Sequence, residues 1–206
     1  MRRVLLPSIL VLLAACRAPA PRPVPAPLPG PAMAPKPGPP PMLPPEQAGG
    51  LPVDPKDRGP LLLGPATREQ ILAHRAVYRD NTARVQLAEA WAGKWKAFDT
   101  PVVIVAAFGS WCGDTQREMP DLLALDALGN PFITVHYFGV YRDKVAQAAD
   151  WPAGIAPRPV SHVPTFWLYA RQPGGGLKLI DAIVENPPKK GQPMAEAIVE
   201  MLDKAR

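Results

Sequence analysis

The rhythm of apolar and polar positions changes several times along this chain. Seven apolar residues run without interruption from Val102 to Phe108, between Thr100-Pro101 and Gly109. A run of that length between breakers predicts a strand buried on both faces. Leu122, Leu123, Leu125 and Leu128 then recur at helical spacing, so a helix should follow the strand, bent by Pro120. Gly129-Asn130-Pro131 is a turn. Phe132 to Gly139 is a second strand, expected parallel to the first through a right-handed crossover. Asp143 to Asp150 reads as a short helix, and Trp151 to Ser161 as a loop rich in Pro, Ala and Gly. Pro164 to Tyr169 and Leu177 to Val184 flank a Pro-Gly-Gly-Gly turn and predict an antiparallel hairpin. Pro193 to Leu202 has the apolar stripe of a closing helix. Upstream, Thr67-Arg68-Glu69-Gln70 has the spacing of a capping box. Helical character runs on through Ile71, Tyr78, Val85 and Trp91 to about Trp95, with a break near Asn81 left open. The pattern gives an α/β domain over residues 66–206: a mixed central sheet of about four strands flanked by helices, with an N-terminal helical extension.

The first 65 residues follow another logic. Arg2 and Arg3 precede a ten-residue apolar run, Val4 to Leu13, interrupted by Pro7. That is too short to span a bilayer and suits the core of a signal peptide over residues 1–15. Nineteen of the chain's 30 prolines lie in residues 1–65, and alternations such as Ala18-Pro19-Ala20-Pro21 exclude helix and sheet ladder alike. Residues 16–65 are therefore read as a polyproline-type tether, with a reach on the order of 100 Å. A Pro-rich recognition tract is the alternative. Leu61-Leu62-Leu63 either packs on the domain or is apolar linker.

Charge follows the same division. The formal net charge is +5, and residues 1–65 supply +4 of it, leaving the domain close to neutral. A basic pI that belongs to a leader and a tether gives no nucleic-acid surface.

Only two cysteines are present, Cys16 and Cys112, so the domain has no internal disulfide to hold it. Cys112 falls at a strand-to-helix turn. Unpaired backbone N–H groups and the helix dipole favour a thiolate there. A buried, inert cysteine is the alternative. Thr115, one turn on, can donate a hydrogen bond to that sulfur or bond to the local backbone. Asp114 suits the helix start but sets negative charge beside the thiol. His162 is a second candidate modulator, as a cation beside a thiolate, a base, or a bland loop residue. Trp111 and Gly113 flank the sulfur and are candidate substrate contacts.

Trp111-Cys112-Gly113 with Pro120 eight residues past the cysteine resembles the active-site helix of the thioredoxin superfamily. Thr115 stands where that family carries its second cysteine, so the segment is similar to a monothiol branch of bacterial thioredoxin-like proteins. Val163-Pro164-Thr165 resembles the family's second motif. The resemblance implies a cis Pro164 beside the cysteine, with Val163 backbone groups turned outward to pair with an extended substrate. It also places Ala106 where thioredoxins carry a buried acid for the resolving step, an acid of no use without a second thiol. Leu13-Ala14-Ala15-Cys16 resembles the bacterial lipobox, which implies cleavage before Cys16 and acylation of it. Arg17 in place of Asp leans toward the outer membrane.

Together these readings lead us to expect a lipid-anchored envelope protein facing the periplasm. It would use Cys112 on protein or small-molecule disulfides and thiols, without a cofactor or a bound metal. A redox-inactive scaffold that binds peptides along Val163 is the first rival. Metal handling through Cys112 and His162 is the second.

Overall fold

A computed structural model describes residues 51–206; the expected leader, Cys16 and most of the expected tether lie outside the described residues. Five strands form one mixed sheet: β1 (Gly64–Ala66), β2 (Val102–Phe108), β3 (Ile133–Gly139), β4 (Thr165–Arg171) and β5 (Leu177–Val184), in the order β1-β3-β2-β4-β5. β2 lies at the centre, parallel to β3 and antiparallel to β4, which explains why its residues are apolar on both faces. β4 and β5 form the antiparallel hairpin. Five α-helices occur among the described residues: α1 (Arg68–His74), α2 (Ala76–Arg84), α3 (Glu89–Lys96), α4 (Gly113–Asp126) and α5 (Met194–Asp203).

The two faces of the sheet are covered differently. Ile104, Ala106 and Phe108 of β2 point into a cluster to which all five helices contribute, among them Ile71, Tyr78, Trp95, Leu122 and Ile198. Val105 and Ala107 point the other way, into a cluster with Phe138, Trp151, Ile155, Val160, Val163 and Trp167. Irregular chain covers this second face. Its middle is a row of rings, with Trp151 at 5.2 Å from Phe138 and 5.0 Å from Trp167 between centroids, spacings at which tilted aromatic pairs attract beyond their area.

Four expectations are corrected. The sheet has five strands, because β1 pairs antiparallel with β3 at the sheet edge, Gly64 opposite Gly139. Residues 51–65, assigned above to the tether, are part of the fold: Leu61 is fully buried, Val53 nearly so, and Leu62 packs on the helical cluster. Gly139 makes this approach possible, since a Cβ there would run into the Leu62 carbonyl. The 67–95 helix is three helices, broken at Arg75 and again over 85–88, and it continues through Asn81. Arg75 takes an extended backbone that lets its guanidinium reach the Pro60 carbonyl (Nη2···O 2.8 Å) and the Asp57 carboxylate (2.9 Å). The Asp143–Asp150 helix is reduced to a single 3-10 turn, Ala148–Asp150. Lys144 has a positive φ of 58° and the Asp143 carboxylate accepts the Val145 N–H, a local turn that competes with helix formation.

A local signal accounts for the start of α1. Thr67 Oγ1 accepts the Gln70 N–H while Gln70 Oε1 accepts the Thr67 N–H, a complete capping box. α4 runs unbroken through Pro120. Among the described residues no helix is long and apolar enough to cross a membrane.

Candidate functional site

β2 ends at Phe108, and the chain needs four residues to turn into α4. Gly109 begins the turn, and its lack of a side chain matters: a Cβ would sit 2.8 Å from the indole of Trp111. The Cys112 N–H closes the turn onto the Gly109 carbonyl at 2.9 Å. Thr115 is fully buried below it, and its Oγ1 accepts the Gly109 N–H at 3.3 Å. Of the two roles read for Thr115, the structure supplies the backbone one: it holds the turn from beneath. Gln116 Nε2 donates to the Ser110 carbonyl at 3.3 Å, and Tyr78 Oη to the Gly109 carbonyl at 3.5 Å. Burial pushes the Tyr78 phenol well above its ordinary value, with Arg75 opposing and Cys112 adding to the rise.

Cys112 is the N-cap of α4 and is partly exposed. Its side chain makes no capping bond. The thiol is instead directed at two oxygens, the Val163 carbonyl at 3.5 Å and Asp114 Oδ2 at 3.9 Å. Val163 itself is buried, and the Val163–Pro164 peptide bond is cis. The Val163 carbonyl therefore faces the sulfur, while its N–H has no partner among the described residues. That halves the outward pairing expected of this residue: one donor remains for a bound chain, and the acceptor belongs to the thiol. The Pro164 carbonyl accepts the Glu185 N–H at 2.7 Å, which fixes the loop to the end of β5.

The remaining expected residues divide. Asp114 is beside the sulfur, but its other oxygen accepts from Arg117 Nη2 at 2.8 Å, and Arg117 also reaches Glu118 and Asn186. Gly113 is exposed and a Cβ there would meet nothing within 4 Å, so close packing does not demand the glycine. His162 is exposed and its ring has no partner among the described residues; only its backbone carbonyl is used, by Thr165 Oγ1 at 2.8 Å. No group of three or more His, Cys, Asp or Glu side chains that could hold a metal ion occurs among the described residues. Trp111 is held rather than loose: Nε1 donates to the Val140 carbonyl at 3.1 Å, and the Arg142 guanidinium lies 4.6 Å from the ring centroid.

Two residues that the sequence did not single out belong here. Arg142 forks onto Asp54, with Nε at 2.9 and 3.1 Å from the two oxygens and Nη2 at 2.6 Å from Oδ2. Asp54 is fully buried. Burial would raise its carboxyl, yet the bonds from Arg142 and the Lys56 N–H hold it below its ordinary value. No local motif marks either residue, since they are 88 positions apart.

A groove of about 440 Å³ lies between α4 and α2, along Gly113, Gln116 and Arg117 on one wall and Val77, Asn81 and Arg84 on the other. A slightly larger cavity of about 480 Å³ lies between the start of α1 and the edge of β3, among Arg68, Asp126 and Tyr137. Neither cavity is lined by Cys112 or Val163; the smaller one comes nearer the thiol in sequence, through Gly113.

No family model matches the chain, and no curated protein matches it. Among solved structures, a protein of unknown function from Pseudomonas aeruginosa and an HIV epitope-scaffold are similar to it. Each is 17% identical with a TM-score of 0.47; the alignments cover 68% of this chain and 91% and 92% of theirs.

Proposed function

We propose that this protein is a monothiol thiol–disulfide oxidoreductase of thioredoxin-like fold, carried on a lipid anchor at Cys16 and facing the periplasm. One observation carries the reading. A partly exposed cysteine caps α4 with its sulfur 3.5 Å from the carbonyl that precedes a cis proline. The Cys112 thiolate attacks one sulfur of a disulfide. The S–S bond breaks, a mixed disulfide forms, and the other sulfur leaves as a thiolate and takes up a proton. Thr115 offers no second thiol, so an external thiol must attack the mixed disulfide. Cys112 is then regenerated, and that reductant becomes disulfide-linked.

A scaffold that binds peptides without redox chemistry is the second reading. The Val163 N–H, which has no partner among the described residues, favours it, because a backbone donor beside the sulfur can pair with an extended chain whether or not the sulfur reacts.

The test is dithiol-driven reduction of a model disulfide by wild type, Cys112→Ser and Thr115→Cys, with partner trapping in whole cells. Wild type should form a persistent mixed disulfide but turn over slowly, and Cys112→Ser should do neither. Thr115→Cys should turn over faster through an intramolecular second step. The gain should be partial, because the buried Ala106 offers no acid and the new thiol would replace the hydroxyl that holds the Gly109 N–H. If Cys112→Ser matches wild type in both assays, the scaffold reading replaces the redox one.

A further inference from the structure

Residues 52–62 form a closed strap over the end of the site. The Leu61 N–H donates to the Pro52 carbonyl at 2.7 Å, the Asp54 N–H to the Gly59 carbonyl at 2.9 Å, and the Arg58 N–H to the Asp54 carbonyl at 2.9 Å. The strap is pinned to the α1–α2 junction by Arg75, which reaches Asp57 and the Pro60 carbonyl. From that base it reaches the loop before Cys112 twice, once directly and once through Arg142. The Leu62 N–H donates to Oγ of the buried Ser110 at 3.1 Å. Asp54 holds the Arg142 guanidinium by its fork, and that guanidinium lies over the Trp111 ring. Ser110 and Trp111 are the two residues immediately before the cysteine. A carboxylate with no solvent exposure is costly unless matched, and here the match is a cation whose other face lies on the indole.

We infer that the strap is a clamp on the thiol loop, with Asp54 a positioning residue that acts through Arg142 on Trp111 to set how far Cys112 is exposed. The inference rests on Cys112 being the group through which the protein reacts. A bidentate guanidinium is fixed in plane and direction, so it fixes the ring beneath it as well. The ring's other restraint is the Nε1 bond to Val140. With Asp54 neutral, or the fork lost, one of the two restraints goes, and the loop that carries the sulfur is freed on the strap side.

The experiment measures alkylation of Cys112 by iodoacetamide in the full chain, followed at the Cys112 peptide by mass spectrometry so that Cys16 does not contribute. Asp54→Asn keeps the shape of the side chain and removes its charge. It should speed alkylation about fivefold, the rate equivalent of a restraint of about 1 kcal/mol, at a temperature where variant and wild type are both folded. Arg142→Gln should do the same, and the double variant should be no faster than either single one. Arg142→Lys, which keeps the charge without the fork, should lie between. In a Trp111→Ala background the Asp54→Asn effect should vanish. Should Asp54→Asn not fold, the partly exposed Arg142 carries the test through its Gln and Lys variants.

Alkylation within about twofold of wild type in folded Asp54→Asn or Arg142→Gln overturns the clamp. A full effect that persists without Trp111 overturns the route through the ring. Alkylation needs no disulfide exchange. A clamp without turnover would therefore count against the redox reading alone, and turnover without a clamp against this inference alone.

Discussion

The two faces of the sheet are built on different principles, and Cys112 stands at their boundary. One face is helical: the buried side chains of α4 and α5 recur at helical spacing and share a cluster with β2 and β4. The other is closed by chain that is neither helix nor strand, around Trp151 between Phe138 and Trp167. The backbone of Cys112 opens a helix of the first face, whereas its side chain and that of Trp111 pack on the second. A cluster made of periodic elements tolerates small adjustments because many contacts share each load. A cover of irregular chain depends on a few specific bonds, and such regions have the lower local stability that binding and reactivity draw upon. The cysteine thus takes its position from the stable face and its surroundings from the adaptable one.

One pair of substitutions, identical in chemistry, tests the same contrast between helical packing and irregular chain. Leu122 in α4 and Leu61 in the strap are both fully buried. Leu122→Ala opens a cavity between elements that cannot close on it, and should cost about 4 kcal/mol, toward the upper part of the range for such truncations. Leu61 belongs to neither cluster, and the strap around it is irregular chain, which yields to a lost side chain more readily than packed helices do. Leu61→Ala should cost about 2 kcal/mol, with hydrogen exchange rising first at Leu62 and Ser110. Urea denaturation of the two variants supplies the comparison. Equal losses, with global rather than local opening in Leu61→Ala, would show the strap to be as integral to the core as α4.

The same contrast explains what could be read without coordinates. The β2 run, the α4 leucines, the hairpin turn and the Thr67–Gln70 box are signals contained within a few neighbouring residues, and the physics behind each is equally local. The helical break at Arg75 has no such signal, because its cause is a strap carbonyl 15 positions away. The strap was illegible for a stronger reason. Its prolines make it look like a tether, and what docks it is a carboxylate partnered 88 residues downstream. At the site, Cys112, Trp111 and Val163–Pro164 were legible as a constellation. The direction of the Val163 carbonyl and the partner of the Thr115 hydroxyl were not, since each depends on how two loops meet.

The smallest expected effect separates the strap from the helical face by the sign of a pH dependence. Asp54, in the strap, has its carboxyl held below the ordinary value of 3.8: burial opposes this, and the bonds from Arg142 and the Lys56 N–H prevail. A depressed folded value means the folded state binds its proton less readily than the unfolded chain. Its contribution is present above about 3.8 and is lost as pH falls through the lower folded value. Asp121, in α4, is the opposite case. Burial raises its carboxyl, and the Ala195 and Met194 N–H groups at the start of α5 only partly offset that. Its Oδ2 accepts the Ala195 N–H at 2.8 Å, so it joins the two helices of the stable face. With the folded value raised, its contribution is complete below 3.8 and declines as pH rises through the folded value. Urea midpoints across the acid range for wild type, Asp54→Asn and Asp121→Asn should therefore diverge in opposite senses. The deficit of Asp54→Asn should shrink as pH falls. Asp121→Asn keeps an oxygen that can accept from Ala195, and should improve relative to wild type as pH rises. If both differences move in the same direction with pH, the two carboxylates share one environment, and the electrostatic part of the contrast between strap and helical face is wrong.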